Sequence, residues 1–144
     1  MKHSRFLALT ALALWAVFGA VAYAAFHPVL EANIPFDFMV GNTWLPAGNY
    51  TIVPVGEQAS VLSVHNEDSN QTVLVGTMPT IDGKATKPAA PRFIFNRYDG
   101  KHYLAKVWKG IDNTGRELPK TRLERELALR AGSGNIVSIA ASLK

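Results

Sequence analysis

Apolar and polar residues alternate with a period of two along much of the chain beyond residue 30. In the segment 34–40, Ile-Pro-Phe-Asp-Phe-Met-Val, the apolar residues Ile34, Phe36, Phe38 and Val40 would share one face of a strand. Similar patterns occur at 50–55, 60–65, 72–78, 92–98, 101–108 and 136–141. Because turn-forming clusters separate these segments, we predict six or seven short strands. The phenylalanines expected in the core are Phe36, Phe38, Phe93 and Phe95.

The strongest hairpin signal is Asp99-Gly100, which stands between two segments rich in aromatic residues. This dipeptide supports the positive φ angles of a two-residue type I′ turn, whose twist suits paired strands. A turn of that type also fixes the register of the two strands. The expected register sets Tyr98 opposite Lys101, Asn96 opposite Tyr103, and Ile94 opposite Ala105.

The period changes to that of a helix after residue 120. Thr121 and Glu124 have the spacing of an N-terminal capping box, and Gly132 supplies a C-terminal stop. Segments 79–91 and 110–117 are predicted to be loops. Since no helix separates the strands, they should pair antiparallel. The predicted fold is therefore mainly β, a small antiparallel barrel or sandwich of six to seven strands with one late α-helix.

The first 24 residues have the layout of a secretory signal. Lys2 and Arg5 form a basic start, an apolar run follows, and Ala22-Tyr23-Ala24 offers small residues to a signal peptidase. We predict a signal peptide at 1–24, a mature start at Ala25, and a single β-rich domain over 25–144. The alternative is an uncleaved anchor, because residues 6–26 carry no charge and are long enough to span a bilayer.

Composition narrows the class of protein. Hydrophobic residues make up 48% of the chain, which is too many for a disordered protein. The absence of cysteine excludes disulfide staples and thiolate chemistry. Without Lys2 and Arg5 the chain has 13 basic and 11 acidic residues, a balance that argues against nucleic-acid binding.

Charge is uneven along the chain. Residues 25–83 contain six acids and no Lys or Arg, whereas residues 84–144 contain all 13 remaining bases and five acids. Two interpretations follow from this distribution. Either the bases form a surface that faces an anionic partner in the envelope, or strands from both halves alternate in space and their charges mix as solvated pairs.

Motifs of catalysis are missing from the sequence. The histidines lack metal-ligand spacing, and the chain has neither a Gly-x-Ser-x-Gly elbow nor a phosphate-binding loop. We therefore predict no catalytic residue, no metal and no cofactor. An enzyme would need a cleft that gathers His65 or His102 with carboxylates.

Three aromatic residues are candidates for ligand binding: Trp44 in a turn, and Tyr103 and Trp108 in the second strand of the hairpin. Strand alternation places Tyr103 and Trp108 on opposite faces, so that one could face a core and the other a ligand. An exposed ring beside basic residues could stack on a sugar or cap an apolar cavity. The alternative is ordinary cross-strand packing.

Several segments together resemble a group of small exported bacterial proteins of unknown function. They are Ile-Pro-Phe-Asp-Phe-Met-Val-Gly at 34–41, Leu-Pro-Ala-Gly-Asn-Tyr at 45–50, the segments 93–98 and 103–108, and Gly-Arg-Glu-Leu-Pro at 115–119. These motifs consist of turn and strand residues. The resemblance implies an exported β-rich domain and assigns no activity, ligand or catalytic residue.

The sequence thus favours a non-enzymatic domain, periplasmic or secreted, with a structural or binding role in the cell envelope. The alternative is a small barrel that carries an apolar ligand. The expected partner is an envelope component or that ligand, with membrane contact only through an uncleaved signal segment. A lined cavity of roughly a few hundred Å3 would favour the carrier, and a packed interior the structural role.

Overall fold

The computed structural model describes residues 28–56, 58–84, 86–87, 90–132 and 134–144. The predicted signal and its cleavage before Ala25 lie outside these residues. The described chain forms one helix, α1 (Arg122–Ala131), and twelve strands. The strands are β1 (Leu30–Ile34), β2 (Phe38–Val40), β3 (Thr43–Leu45), β4 (Gly48–Val55), β5 (Val61–Asn66), β6 (Thr72–Gly76), β7 (Met78–Ile81), β8 (Arg92–Tyr98), β9 (Lys101–Trp108), β10 (Thr114–Glu117), β11 (Asn135–Ala140) and β12 (Ser142–Leu143).

The strands form two sheets. The five-stranded sheet has the order β12-β1-β4-β5-β6, and all its neighbours are antiparallel. Five strands of the seven-stranded sheet have the order β11-β8-β9-β10-β7. The other two are β2, which pairs in parallel with β9, and β3, which pairs antiparallel with β2. This parallel pair departs from the predicted all-antiparallel arrangement. The predicted mainly β class with one late helix is confirmed, with more strands than the six or seven expected.

Single residues carry the chain from one sheet to the other. Thr77 separates β6 from β7, and Ala141 separates β11 from β12. The Thr77 N–H donates to the Ser60 carbonyl at 2.7 Å, and the Ala141 N–H donates to the Pro91 carbonyl at 2.9 Å. The sheets therefore share corners, but strand pairing in the described residues does not close into a barrel. The architecture is a sandwich.

The segment 34–40 is not the single strand that its alternation predicts. It crosses between the sheets, with β1 ending at Ile34, a bend at 35–37, and β2 beginning at Phe38. The Asp37 carboxylate fixes the bend by accepting a 2.9 Å hydrogen bond from the Ala47 N–H. Phe38 is fully buried, whereas Phe36 at the bend is only half-buried, contrary to prediction.

Three strands were missed because their residues are typical of turns. β3 carries Trp44, for which the sequence predicts a turn, and β10 lies in a segment predicted to be a loop. β7 begins at Met78, the last residue of the predicted strand 72–78, and continues into the predicted loop 79–91. β7 contains Pro79 and β10 contains Gly115, and both strands have only four residues. They form by pairing with each other and with β9.

The β8–β9 hairpin has the predicted turn. Asp99 and Gly100 have φ angles of 48° and 78°, as a type I′ turn requires. The two pairs nearest the turn, Tyr98–Lys101 and Asn96–Tyr103, match the expected register. The third does not, because a bulge at Ala105 places Ile94 opposite Lys106.

The core lies between the sheets. It is built from inward residues of both: Leu30, Ile34, Ile52, Leu62 and Val64 from the five-stranded sheet, and Phe38, Val40, Leu45, Phe93, Phe95, Leu104 and Val107 from the other. Phe95 meets the edges of Phe36 and Phe38 at centroid distances of 5.1 and 5.3 Å. This packed interior accounts for the stability of a domain without disulfides.

The segment 45–50 serves as a structural corner. The Tyr50 hydroxyl, on a fully buried ring, donates a 2.6 Å hydrogen bond to the Pro46 carbonyl. The Asn49 N–H donates to Asp68 at 2.9 Å. A Cβ on Gly48 would lie 2.7 Å from an Asp68 carboxylate oxygen, so the close approach explains a glycine there. These contacts give the Leu-Pro-Ala-Gly-Asn-Tyr segment a folding role.

Candidate functional site

Helix α1 covers part of the outer face of the seven-stranded sheet. Thr121 caps it as predicted, since its hydroxyl accepts a 3.1 Å bond from the Glu124 N–H, and Gly132 ends it. Leu127 and Ala128 pack on a second apolar cluster of Met39, Tyr98 and Tyr103. The helix thereby covers Met39, Tyr98 and Tyr103 on this face.

A polar cluster is buried beneath the helix. The Glu124 carboxylate accepts a 3.0 Å hydrogen bond from the Asn96 side chain and is 5% exposed. The neighbouring Tyr103 hydroxyl has no hydrogen-bond partner among the described residues. Burial raises the pKa of Tyr103, and the Glu124 charge raises it further. The phenol therefore stays protonated at neutral pH and cannot act there as a base.

The three aromatic candidates lie on one face but not in one site. Trp44 and Tyr103 are both register partners of Met39, so they share the outer face of the seven-stranded sheet. Tyr103 is 2% exposed beneath α1, whereas Trp44 is 48% exposed. The structure does not gather these candidates around a common cavity.

The prediction that Tyr103 and Trp108 point to opposite faces of β9 is wrong. Tyr103 pairs with Asn96 and Trp108 with Arg92, and these two β8 residues share a face. The extra residue of the bulge at Ala105 reverses the alternation of β9 between them. Both rings therefore point outward, away from the core between the sheets.

Trp108 lines an open groove of about 500 Å3 on this outer face. Its ring is only 6% exposed, because the Arg92 guanidinium lies over it at 5.5 Å from the centroid. Arg92 is also 4.0 Å from Asp82, and Lys106 is 3.5 Å from Glu117. The groove is lined by paired charges, and its indole is already covered by a cation.

A smaller pocket of about 320 Å3 opens at one end of the sandwich, between the sheets. Its apolar lining comes from both: Leu30, Ile52, Pro54 and Leu62 on one side, and Val107 on the other. The side chains of these residues point into the sandwich, at the place where the packed core ends. The pocket continues directly from the hydrophobic core.

Two cations, Lys109 and Arg116, also line this pocket. Lys109 is 4.0 Å from Asp112, whose carboxylate accepts from both the hydroxyl and the N–H of Thr114. These hydrogen bonds lower the pKa of Asp112, so it stays ionised beside Lys109. Arg116 donates to the neutral Gln58 carbonyl, a contact that does not compensate its charge. An apolar cavity with a basic lining suits an amphiphilic anion.

No local sequence pattern marks this pocket. Arg116, for example, lies in a segment predicted to be a loop. The residues of the pocket come together because one sheet packs on the other, which brings β4 and β5 against β9 and β10, and no local pattern predicts that contact. The alternation of apolar and polar residues predicts that the side chains of Ile52 and Leu62 point into the core. It does not predict that the packing between the two sheets ends beside them.

The two histidines among the described residues, His65 and His102, lie on different sheets. His65 on β5 is 2.8 Å from the Thr72 hydroxyl and 3.9 Å from Glu67, on an open surface. His102 on β9 stacks on Phe36 at 3.8 Å, and burial, aided by the Arg97 charge, lowers its pKa. In the described part of the chain, no group of three potential ligands could hold a metal ion.

Charged residues of the strands are unevenly divided between the sheets, although Arg92–Asp82 and Lys144–Glu31 pair bases of the second half of the chain with acids of the first. The strands of the seven-stranded sheet carry five bases and one acid, whereas those of the five-stranded sheet carry one acid and no Lys or Arg. Helix α1 adds Arg122, Arg125 and Arg130 to the basic side, together with the acids Glu124 and Glu126. The bases of the strands and of α1 therefore lie on one side of the sandwich, whereas Lys144 pairs with Glu31 on the five-stranded sheet.

Comparison with protein-family models, with curated proteins and with solved structures gave no match for this chain. Among the described residues, no helix has the length and apolarity needed to cross a bilayer.

Proposed function

We propose that the chain is a non-enzymatic exported domain with a binding role in the cell envelope, and that its end pocket takes a small apolar molecule bearing an anionic group. The observation that carries this proposal is the 320 Å3 pocket between the sheets, with its apolar lining and two cations. Export rests on the layout of residues 1–24 alone.

The size of the pocket limits the ligand. Pockets for small molecules are typically about 300–1,000 Å3, so this one takes a single short chain or ring. The inward residues Ile52 and Leu62 line it but are 0% and 1% exposed, so the apolar surface open to a ligand is small. Burial of each methylene is worth about 0.8 kcal/mol, so affinity should rise with chain length until the pocket is full.

The head group follows from the cations. A carboxylate or phosphate placed near Arg116 would gain a charge-assisted hydrogen bond, and Arg geometry suits either anion. A neutral head group would gain less, and a cationic one would be repelled. Decanoate, decanol and decyltrimethylammonium are therefore a matched series of probes with one chain and three charges.

The test is calorimetric titration of the protein beginning at Ala25 with these three probes. Decanoate should bind more tightly than decanol, and the cation should not bind. Arg116→Gln should weaken decanoate binding and leave decanol binding unchanged, whereas the control Lys106→Gln, on the outer face, should change neither. Equal binding of all three probes, or binding of none, would overturn the ligand assignment.

Export has its own test. Intact mass of the protein recovered from the envelope or medium should correspond to a chain that begins at or near Ala25. A full-length mass, with extraction only by detergent, would replace the cleaved signal by an anchor.

The uneven division of charged residues between the sheets favours a second binding role, in which the basic side of the sandwich docks on an anionic envelope component. The three arginines of α1 would lead this contact. Sedimentation with anionic but not neutral vesicles, lost at high salt, would support it. Equal sedimentation with both kinds of vesicle would argue against it.

A further inference from the structure

The exposed sheet edges of this molecule are unequally protected. Three of the edge strands are short. β12 has two residues and lies beside the 2.8 Å ion pair of Lys144 with Glu31. β3 has three residues, and β7 has four and contains Pro79. β11 lies against β1 at the shared corner. β6 has five residues without proline, inside the uncharged run 71–81. Charge, proline and shortness are the usual protections of an edge, and β6 has none of them.

The hydrogen-bond pattern shows which backbone groups this edge offers. The Asn66 N–H donates to the Gln71 carbonyl, and the Thr77 N–H donates to the Ser60 carbonyl, so both ends of the β5–β6 ladder are hydrogen-bonded pairs. Such pairs alternate along an antiparallel ladder. Val73 and Val75 therefore bond to β5, and Thr72, Leu74 and Gly76 direct their N–H and C=O groups outward.

The face beside this edge is apolar. The side chain of Leu74 is 65% exposed on the outer face, in a cross-strand row with Ser63 and Val53. The adjacent row is Gly76, Val61 and Val55. The edge thus combines backbone groups that have no partner among the described residues with an uncharged, partly apolar surface.

We propose that this edge pairs with the β6 edge of a second copy of the chain, antiparallel about a two-fold axis at Leu74. In that register Leu74 faces its own copy, Thr72 faces Gly76, and the half-buried Val73 faces Val75. The outward groups of Thr72, Leu74 and Gly76 then meet as hydrogen-bonded pairs, and the two five-stranded sheets become one.

A second copy fits this edge because the edge is complementary to itself. A strand without charge meets no like-charge repulsion across a two-fold axis, and the larger Thr72 lies opposite the smallest residue, Gly76. The segment is also a good partner strand, since three of its five residues are β-branched. The inference does not depend on the end pocket, whose lining does not include β6.

The test is the molar mass of the protein beginning at Ala25, measured by light scattering after size exclusion over a range of concentrations. The wild type should show twice the monomer mass. Leu74→Pro removes the outward N–H without removing a bond to β5, and should weaken the dimer about 30-fold, as two hydrogen bonds are lost per symmetric interface. Leu74→Lys should also give monomer, because it brings two cations together.

The control is Leu129→Lys, which makes the same exchange on the outer side of α1, where the leucine is 86% exposed. It should leave the dimer intact. A monomeric wild type, dimers that survive both Leu74 variants, or equal dissociation by Leu129→Lys would each overturn the proposal. If circular dichroism shows that Leu74→Pro does not fold, the Leu74→Lys variant decides.

Discussion

Two buried tyrosines differ in what their hydroxyls contact, and this difference predicts opposite effects of the same substitution. The Tyr50 hydroxyl donates a 2.6 Å bond to the Pro46 carbonyl. The Tyr103 hydroxyl is buried and has no partner among the described residues. Both rings are almost fully buried, so Tyr→Phe leaves the packing of each nearly unchanged.

The magnitudes follow from the hydrogen bonds. Tyr50→Phe loses one, which lowers the free energy of unfolding by about 1 kcal/mol. The Tyr103 hydroxyl loses its hydration on folding without gaining a hydrogen-bond partner, which costs roughly 1–3 kcal/mol. Tyr103→Phe removes this hydroxyl, so it should raise the free energy of unfolding by about 1 kcal/mol. The two variants should therefore differ by about 2 kcal/mol, which is roughly 1 M in the urea midpoint for a domain of this size.

The assay is urea denaturation followed by circular dichroism, with equal slopes in both variants as the check for an unchanged unfolding reaction. A Tyr103→Phe variant that is destabilised as much as Tyr50→Phe would refute the reasoning. That result would mean that the Tyr103 hydroxyl has a partner, and that the cluster beneath α1 is a satisfied network.

Three further predictions concern the core, the hairpin and a histidine. Phe95→Ala should cost about 4 kcal/mol in a calorimetric unfolding experiment, and Phe36→Ala roughly half as much because that ring is half-buried; equal losses would contradict the packing. Gly100→Val should cost about 1–2 kcal/mol, since a Cβ disfavours its left-handed φ of 78°, and an unchanged urea midpoint would argue against the turn. Because burial lowers the pKa of His102, stability should fall as pH drops below about 6.5, the unfolded value, and His102→Gln should reduce that fall; identical pH profiles of the urea midpoint would contradict it.

The sequence correctly predicted those parts of the fold that depend on residues close together in the chain. Asp99-Gly100 forms the expected turn, and Thr121 and Gly132 bound the expected helix. The alternation of β8 correctly placed Phe93 and Phe95 in the core. In each case the residues that determine the structure are neighbours in sequence.

The other features of the fold depend on contacts that no local sequence pattern encodes. Ala105 has no feature that marks a bulge, yet the bulge sets which way Trp108 points and so removes it from the core side. Pro79 and Gly115 suggest loops, but their segments become strands because each has the other as a partner. The end pocket depends on where packing between two sheets stops, and a single sequence does not encode that locally.

The central claim is that the end pocket binds an amphiphilic anion. The most direct measurement is a titration of the 15N-labelled protein with decanoate, followed by amide chemical shifts. Saturable shifts should be concentrated at the pocket residues Leu30, Ile52, Leu62 and Val107, while Glu124 beneath α1 stays unchanged. Shifts confined to the outer face of the seven-stranded sheet, or no saturable shifts at all, would contradict the account.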